Sequence, residues 1–357
     1  MNRKRINLIV SLVVGGLLFL GVLNYYGVGS LLDVYENINL IYLIPFLFLT
    51  TFVFFINAWR LQVVLSAYNE KASFWALLRQ NIAGWAVSAV TPSAKIGGEP
   101  LKVYMLKKEN NIGWRNGSSA VLMDKFIELF GSLFFGLLGL TVLFLVPGMS
   151  IVIKSIVAIV MLISFSVLAV VYYMTVRGKG PFTNLFTVLR FYRIPRFKKL
   201  KGIVRDIEKK MAIFFIHHKK EFLLGFIGYI IYGCATYWEF KFLLMMFGID
   251  LGFFELIIVV VVWGIVNLAP VPVGLGFHEI TQSGLFAVMQ GSGSTGLAFT
   301  LLVRLRTLFF IALGFAIISH FTGGEVMKKY NGNDLNKNVK KKPKKKRRKK
   351  ESRKIQN

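Results

Sequence analysis

Two stretches of this chain are interrupted by proline and glycine, and each of them ends in a glutamate. They cover residues 92–99 and 272–279, so that seven positions separate the proline from the glutamate in both. A charged side chain stands in the next long apolar segment 25 positions after each glutamate, Asp124 in the first case and Arg304 in the second. Ionisable groups within apolar segments need partners and mark pathways of substrates or ions. The repeated spacing predicts one kind of binding site that is built twice.

The interrupted backbone is a second source of binding groups. Thr91-Pro92-Ser93 and the segment 270–274 are expected to break their helices. Backbone N–H and C=O groups that are released in a membrane are tolerated only when they are buried in protein or line a wet cavity. The breaks are therefore either the lining of a cavity for a polar head group or turns between two ordinary helices at the membrane surface. The acidic residue at the end of each break favours the cavity.

Arg304 and Arg306 are the sharpest candidates for contact with an anion. They are the eighth and tenth residues of an apolar run that begins at Leu297. Two guanidinium groups at that depth need carboxylates or a phosphate. The protein carboxylates available to them are Glu99, Asp124, Glu128 and Glu279. The sequence favours neither purely structural ion pairs nor competition by a lipid phosphate.

The predicted substrate-binding site combines the polar and glycine residues of the two breaks with the charged residues of the helices that follow. Its members are Thr91, Pro92, Ser93, Lys95, Gly98, Glu99, Asp124, Glu128, Pro272, Gly274, Gly276, His278, Glu279, Arg304 and Arg306. We expect the cationic members to attract phosphate. We expect the carboxylates to bind a cationic head group or to balance the arginines.

Patterns typical of catalysis, metals and cofactors are absent from the sequence. Cys234 is the only cysteine, which excludes an intrachain disulfide and a cysteine-based metal site. No other histidine has ligand spacing to His278, so a hydrogen-bonding or capping role is expected for this side chain. There is no Walker loop, nucleophile elbow, dinucleotide fingerprint or zinc-protease motif. We therefore predict no catalytic residue, no metal, no cofactor and no enzymatic activity.

The composition sets the elements that must position these residues. The chain is 55% apolar and 15% aromatic, has a mean hydropathy of +0.59, and carries 17% charged residues, against about 25% in soluble domains. This predicts an all-α polytopic membrane protein, with about 20 residues in each spanning helix. The six predicted spans are 6–26, 40–58, 118–146, 151–176, 221–247 and 297–319. Between them, 74–106 and 253–290 are apolar but broken.

Lysine and arginine set the orientation, because short basic loops stay in the cytoplasm. Basic residues precede residue 6 and recur at 60–79, 107–115 and 177–220, whereas the loops at 33–36 and at 250 are acidic. Both termini and the basic loops are therefore expected in the cytoplasm, and Arg60 is expected in one of these loops.

The same bias makes the two broken regions re-entrant hairpins. The hairpin 74–106 enters and leaves from the cytoplasm, and 253–290 enters and leaves from the outside. Each hairpin is flanked by two spans, and the two halves have opposite orientation. This is the inverted-repeat plan of many secondary transporters.

Other charges near the helix ends are expected at the membrane surface. Lys125 and Lys241 can extend their ammonium groups to the interface. Glu239 follows two aromatic residues that are typical of an interfacial belt. Asp124 and Glu128 share one helix face, and an interfacial position two to three turns from the helix start is an alternative for both.

Two further segments carry most of the cytoplasmic charge. Residues 198–216 alternate apolar and basic residues at helical spacing, which predicts an amphipathic helix on the inner leaflet, with docking of a partner as the alternative. Fifteen of the 44 lysines and arginines follow residue 327, which predicts a disordered basic cytoplasmic tail over 327–357 after a membrane domain over 1–326. An anionic lipid surface is the expected partner of the tail, and nucleic acid is not expected.

The break residues resemble a known family. Gly97-Gly98-Glu99-Pro100-Leu101-Lys102 after the first break, and Gly274-Leu275-Gly276-Phe277-His278-Glu279 in the second, are similar to the membrane domain of lysylphosphatidylglycerol synthases. The resemblance covers about residues 6–325. In full-length synthases a separate soluble domain transfers the aminoacyl group, and the tail here is too short for such a domain. The resemblance therefore implies a stand-alone, flippase-like membrane protein in the cell membrane.

Three functions follow from these predictions. The first is translocation or binding of a polar or anionic lipid, which would be an aminoacyl-phospholipid, another phospholipid or a polyprenyl phosphate. The second is an accessory subunit that presents lipid to a separate transferase. The third, ranked last, is a lipid-modifying membrane enzyme that uses His278 and Glu279 as acid and base. Membrane lipids, a second copy of the chain and a separate transferase are the partners that these functions imply.

Overall fold

The structure is a computed structural model, and it describes residue 24 and residues 38–93, 95–145, 151–188, 195–267 and 271–340. Eleven α-helices and two short 3₁₀ turns, Leu40–Tyr42 and Pro272–Gly274, have their bounds within these residues, and none of these residues forms a β-strand. The α-helices are α1 (Leu43–Ser66), α2 (Phe74–Val90), α3 (Glu99–Glu109), α4 (Trp114–Leu145), α5 (Ile151–Val176), α6 (Pro181–Val188), α7 (Pro195–His217), α8 (Lys219–Met245), α9 (Phe253–Val266), α10 (Phe277–Gln290) and α11 (Gly293–Lys340).

Four helical segments in the described part of the chain are long and apolar enough to cross a membrane. They are Leu40–Ser66, Trp114–Leu145, Ala158–Val176 and Gly293–Thr322. Each coincides with a predicted span, and the all-helical membrane fold is confirmed. The predicted span 221–247 is helical as α8 but is not one of the four, and 6–26 lies outside the described residues. The number of spans stays a prediction.

Helices α1 and α8 pack against each other in opposite directions. The Asn39 N–H, just before α1, donates to the Met246 carbonyl just after α8, at 2.9 Å. Near the other end of the pair, Gly228 lies against the Trp59 ring. Because the start of one helix meets the end of the other, α1 and α8 are antiparallel. An inverted repeat requires this arrangement for its first helices.

Helices α4 and α8 run in the same direction. Gly225, early in α8, faces Ile127, and Gly233, two turns later, faces Phe135. In between, the Tyr229 hydroxyl lies 2.6 Å from Ser132 Oγ. The contacts advance together along both helices. This parallel packing agrees with the direction that the basic loops predict for the two segments.

The first broken region folds as a helical hairpin. Near its open end, Gln80 Nε2 in α2 donates to Glu109 Oε2 in α3 at 2.9 Å. Near its closed end, the Gly98 N–H donates to Ser88 Oγ at 2.8 Å. Helices α2 and α3 are therefore antiparallel and joined through the break at 91–98.

The second broken region brings α9 and α10 together around a tight turn. Val273, Gly274 and Gly276 all have positive φ, at 56°, 62° and 82°. Trp263 of α9 stacks on His278 of α10, with 3.8 Å between the ring centroids. The 3₁₀ turn of this break also contacts α2. The second break therefore packs against the first hairpin.

An aromatic core holds the second hairpin in place. Phe240 of α8 packs edge-on against Trp263 of α9 and Phe299 of α11, at 5.4 and 5.1 Å between centroids. Phe286 of α10 stacks on the same Phe299 ring. Because the three phenylalanine rings are almost completely buried and contact Trp263, they hold together the four helices that surround the second break.

The amphipathic helix is present as α7, and the C-terminal part of its predicted apolar face packs against protein, whereas Ile203 of the same face is 42% exposed. Met211 and Phe214 are completely or almost completely buried. The Phe214 ring stacks on Tyr68, and Phe215 contacts Phe126 and Tyr172 of α4 and α5. Aromatic side chains of neighbouring helices therefore cover this part of the face, and the position of α7 on the inner leaflet stays a prediction. The side chains of Lys201, Arg205 and Lys209 are exposed.

The described chain packs as two units that divide after Gly314. Residues 315–340 are helical as the C-terminal part of α11, so this helix is continuous beyond the predicted tail boundary at residue 326. Residues 341–357, with the densest run of lysines, lie outside the described residues.

Candidate functional site

Five ion pairs occupy the charged residues of the predicted site and their neighbours. They are Arg60–Asp124, Lys102–Glu99, Lys125–Glu128, Arg306–Glu239 and Arg304–Glu279. Every carboxylate that the sequence offered as a ligand for a head group is engaged in one of them. The pairs join α1 to α4, α8 to α11 and α10 to α11, and two of them stay within α3 or α4.

The pair between Arg60 and Asp124 is the most buried. Arg60 Nε lies 2.5 Å from Asp124 Oδ1, Arg60 Nη2 lies 3.2 Å from Oδ2, and the two side chains are 2% and 4% exposed. Arg60 also approaches Glu128 at 3.5 Å and the Tyr229 ring at 5.7 Å. The prediction of a cytoplasmic loop for Arg60 was wrong, because α1 continues to Ser66 and carries this residue inside the packed helices.

Glu99 in the first turn of α3 faces two lysines. Lys102 Nζ lies 3.3 Å from Glu99, and Lys125 Nζ lies 4.0 Å from it. Lys125 also lies 2.8 Å from Glu128 on its own helix. The prediction that Lys125 extends to the membrane surface was therefore wrong, because two carboxylates hold it inside the protein.

Glu279 in the first turn of α10 pairs with Arg304, at the spacing that the sequence singled out. Its other oxygen accepts the Gly276 N–H at 2.8 Å and so closes the second break. At the first break, Glu99 also contacts the long helix that follows its hairpin. Its partner there is Lys125 and not Asp124, the residue at the spacing that the sequence singled out. The carboxylates of Glu99 and Asp124 would repel each other. The side chain of α4 that lies near Glu99 is therefore Lys125, and Asp124 pairs with Arg60.

Arg306 pairs with Glu239 of α8, and the Thr50 hydroxyl of α1 donates to the same carboxylate at 2.5 Å. Glu239 is only 2% exposed. Glu239 was missing from the carboxylates considered for Arg306, and its position at the membrane interface stays a prediction. A buried glutamate here is stabilised because it receives both a guanidinium and a hydroxyl.

His278 lies in the second break next to further buried polar groups. Its Nε2 lies 3.4 Å from Asn267 Oδ1, and its ring fills the space above Gly274. The His278 Nδ1, the Gln282 side-chain amide and the Ser283 hydroxyl are buried without a hydrogen-bond partner in the described part of the chain. These groups lie on one face of α10 and form a polar surface beside the Glu279–Arg304 pair. Among the described residues, no group of three potential metal ligands is present.

The first break is lined by hydroxyl groups. The Thr91 hydroxyl donates to the Val87 carbonyl at 2.8 Å and lies 2.9 Å from Ser93 Oγ, across Pro92. A side chain at Gly98 would collide with the Gly84 backbone, so glycine is needed for the close approach of α2 and α3.

Lys95 stands at the tip of the first hairpin in a left-handed backbone conformation, with φ of 61°. Its ammonium has neither a hydrogen bond nor an ion pair with any described residue. It interacts electrostatically with Glu128 and Lys125 of α4, with Arg306 of α11 and with His278 of α10. An unpaired cation therefore lies where groups of both predicted halves converge.

A groove lies between α1, α8 and α11. It has a volume of about 270 Å³ and is lined mainly by apolar side chains, with Thr50, Thr51 and Arg306 as its polar members. Leu47, Leu305 and Phe309 line it and are more than half exposed. The groove thus joins an apolar surface to the Arg306–Glu239 pair.

The sequence model of the lysylphosphatidylglycerol synthase transmembrane region matches residues 8–314. This chain belongs to that family. The match covers both breaks, all five ion pairs and Lys95. The chain is therefore a membrane protein that carries the transmembrane region of this family.

Similar proteins are found among archaeal membrane proteins. A UPF0104 membrane protein of Methanothermobacter thermautotrophicus is 22% identical over 333 residues, which are 90% of this chain and 97% of that protein. A UPF0104 membrane protein of Pyrococcus horikoshii is 22% identical over 260 residues, which are 69% and 76% of the two chains. One from Methanocaldococcus jannaschii is 26% identical over 128 residues, 36% of this chain and 38% of that one. No solved structure matches the chain.

Within this family member, sequence reasoning missed several residues of the site. Arg60 and Glu239 carry two of the five pairs, and neither was predicted to do so. Each of them directly continues an apolar helical stretch. This continuity could have indicated that the two residues lie within the helices. Gln282 and Ser283 were missed as well, although they share a helix face with His278 and Glu279.

Proposed function

We propose that this protein binds a lipid head group where its two hairpin breaks meet, and that it moves the lipid between the leaflets of the cell membrane. The observation that carries the proposal is Lys95, an unpaired ammonium at the first break among groups of both halves. A cation without a partner in a low-dielectric surrounding is a strong attractor for phosphate.

The arrangement of the halves supports movement rather than binding alone. Helix α1 and its predicted counterpart α8 are antiparallel, and each half contains a hairpin whose second helix begins with a glutamate paired to the next long helix. With the predicted inverted repeat, one hairpin opens to the cytoplasm and the other to the outside. A lipid that is held between them can be reached from either leaflet. Both termini lie in the cytoplasm in this scheme.

The groove next to Arg306 supports a lipid rather than a water-soluble anion. Its apolar walls suit an acyl or isoprenoid chain, and Arg306 is one of its polar residues. Because the sequence contains no ATP-binding motif, the movement would follow a gradient or equilibrate the two leaflets.

Reconstituted liposomes test the proposal. Fluorescent phosphatidylglycerol and a polyprenyl phosphate are added, and chemical quenching of the outer leaflet reports their transbilayer movement. The intact protein is expected to accelerate the movement of at least one of them. Lys95→Gln should slow it about tenfold, because one charge-assisted hydrogen bond is lost.

Lys201→Gln is the matched control, because it removes the same charge from an exposed position on α7 and should leave the rate unchanged. If neither lipid moves faster than in liposomes without protein, transport is excluded.

A non-transporting accessory role is the second candidate. The exposed basic side chains of α7, among them Lys201, Arg205 and Lys209, offer a surface for an acidic partner such as a separate transferase. Lipid binding without transbilayer movement in the liposome test would favour this role.

A further inference from the structure

We infer that the groove between α1, α8 and α11 binds the phosphate of a membrane lipid through Arg306 and encloses one chain of the same lipid. The inference rests on the proposed function and deepens it, because it names a contact through which a lipid would enter the protein from the bilayer. The site is separate from the hairpin breaks, since the described lining of the groove contains no residue of either break.

The first step is the depth of the Arg306–Glu239 pair in the membrane. Arg306 is the fourteenth residue of the candidate span Gly293–Thr322, and Thr50, which donates to the same Glu239, is the eleventh of Leu40–Ser66. At 1.5 Å per residue, they lie about 15–20 Å from the starts of their spans, near the centre of a hydrocarbon core about 30 Å thick. The inference therefore places the pair deeper than the interface expected for Glu239.

The second step is the opening of the groove towards lipid. Leu47, Leu305 and Phe309 line it and are more than half exposed, and the Arg306 side chain within it is still 19% exposed. A charged group that faces hydrocarbon near the bilayer centre is unfavourable, and such residues are normally covered by protein or by polar groups. The exposed part of this guanidinium therefore needs a polar group that lipid chains alone do not provide.

The third step is the supply of donors on Arg306. Its hydrogen bond to Glu239 runs from Nη1, and Nε and Nη2 have no hydrogen bond to a described residue. A guanidinium carries five N–H donors in a planar fork that matches phosphate. A lipid phosphate can therefore bind the remaining donors while the ion pair with Glu239 stays intact.

The fourth step is the choice between a lipid phosphate and water. The other polar residues of the described lining are Thr50 and Thr51, and both hydroxyls already donate, to Glu239 and to the Leu47 carbonyl. A bound water needs two to four polar partners, which these walls do not offer. An anionic phosphate is held by Arg306 alone through charge-assisted hydrogen bonds, and its chain covers the apolar walls.

Site-specific photo-crosslinking of the full-length protein in nanodiscs tests the site. A benzophenone side chain replaces Phe309, and the nanodiscs contain equal amounts of phosphatidylglycerol and of diacylglycerol with identical acyl chains. Mass spectrometry then gives the ratio of phospholipid to diacylglycerol adducts. The same side chain in place of Leu308 is the matched control, because Leu308 is 51% exposed on the same helix and is not among the lining residues. The ratio should be about tenfold higher at position 309, as expected for a charge-assisted hydrogen bond.

A double substitution assigns the preference to the guanidinium. Arg306→Met is combined with Glu239→Gln, so that no buried charge is left without its partner and the glutamine oxygen can still accept the Thr50 hydroxyl. The ratio at position 309 should then fall to the ratio at position 308.

The outcomes separate this inference from the proposed function. Equal ratios at the two positions, or an enrichment at position 309 that persists in the folded double variant, would overturn the phosphate site even if lipids move in liposomes. An enrichment that depends on Arg306, without transbilayer movement, would support this site and overturn transport.

Discussion

At the scale of single residues, the buried charges satisfy one another, and this decides which of them a ligand can reach. Arg60 and Asp124 are bound through two contacts and are almost inaccessible to solvent. Such a pair contributes modestly to net stability, but the loss of one partner is costly because the other charge stays buried. Lys95 is the exception among the charged residues of the predicted site, and its proposed role in binding is based on its lack of a partner among the described residues.

We predict that Arg60→Met destabilises the protein by about 3–5 kcal/mol, because Asp124 would be left as a buried charge without its guanidinium. The double substitution Arg60→Met with Asp124→Leu should recover most of this loss. Thermal or denaturant unfolding in detergent measures both variants. A single variant as stable as the unmodified protein would contradict the buried pair.

At the scale of elements, each break depends on close backbone approaches within its own hairpin, and the turn of the second break contacts α2 of the first hairpin. In the first hairpin, Gly98 lies against the Gly84 backbone, where a methyl group has no room. In the second, the positive φ at Gly274 and Gly276 turns the chain, and Glu279 holds the turn closed. The site depends on these backbone contacts as much as on its charged side chains.

Gly98→Ala is expected to destabilise the first hairpin by about 1–3 kcal/mol, because the added carbon overpacks the contact between α2 and α3. Gly113→Ala is the matched control, since nothing lies within 4 Å of an added carbon there. It should change stability by no more than about 0.5 kcal/mol. Unfolding measurements and Lys95-dependent lipid binding should both respond to the first substitution alone. Equal stability of the two variants would show that α2 and α3 do not pack this closely.

At the scale of the whole molecule, the predicted halves carry equivalent ion pairs with reversed signs. In the first half, an arginine on α1 pairs with an aspartate on α4. In the second, a glutamate on α8 pairs with an arginine on α11. Both pairs join the helix before a hairpin to the helix after it. We interpret them as the clamps that hold each hairpin between its flanking helices.

Cysteine labelling tests the opposite orientation of the halves. In a Cys234→Ser background, Ser292→Cys should react with a membrane-impermeant thiol reagent from outside intact cells. Gly113→Cys should react only after the cytoplasmic face is opened, because α2 to α4 are expected to connect on that side. Labelling of both positions from the same side would exclude the inverted arrangement.

The sequence by itself determined the helical membrane class, four candidate spans and the positions of both breaks, and its repeated spacing singled out Glu279 and Arg304 without deciding that they pair. These follow from hydropathy and from proline and glycine, which act locally, and from one conspicuous spacing. Only the tertiary structure decided the partners of Arg60, Lys125 and Glu239, because the helix face that a residue presents, and what lies opposite it, depends on how distant segments pack. Packing against α4 and α5 likewise covers apolar residues near the C-terminal end of α7. Whether a charge is paired or free depends on its neighbours in space, and Lys95 stands apart only because the other charged residues of the predicted site have partners in the described part of the chain.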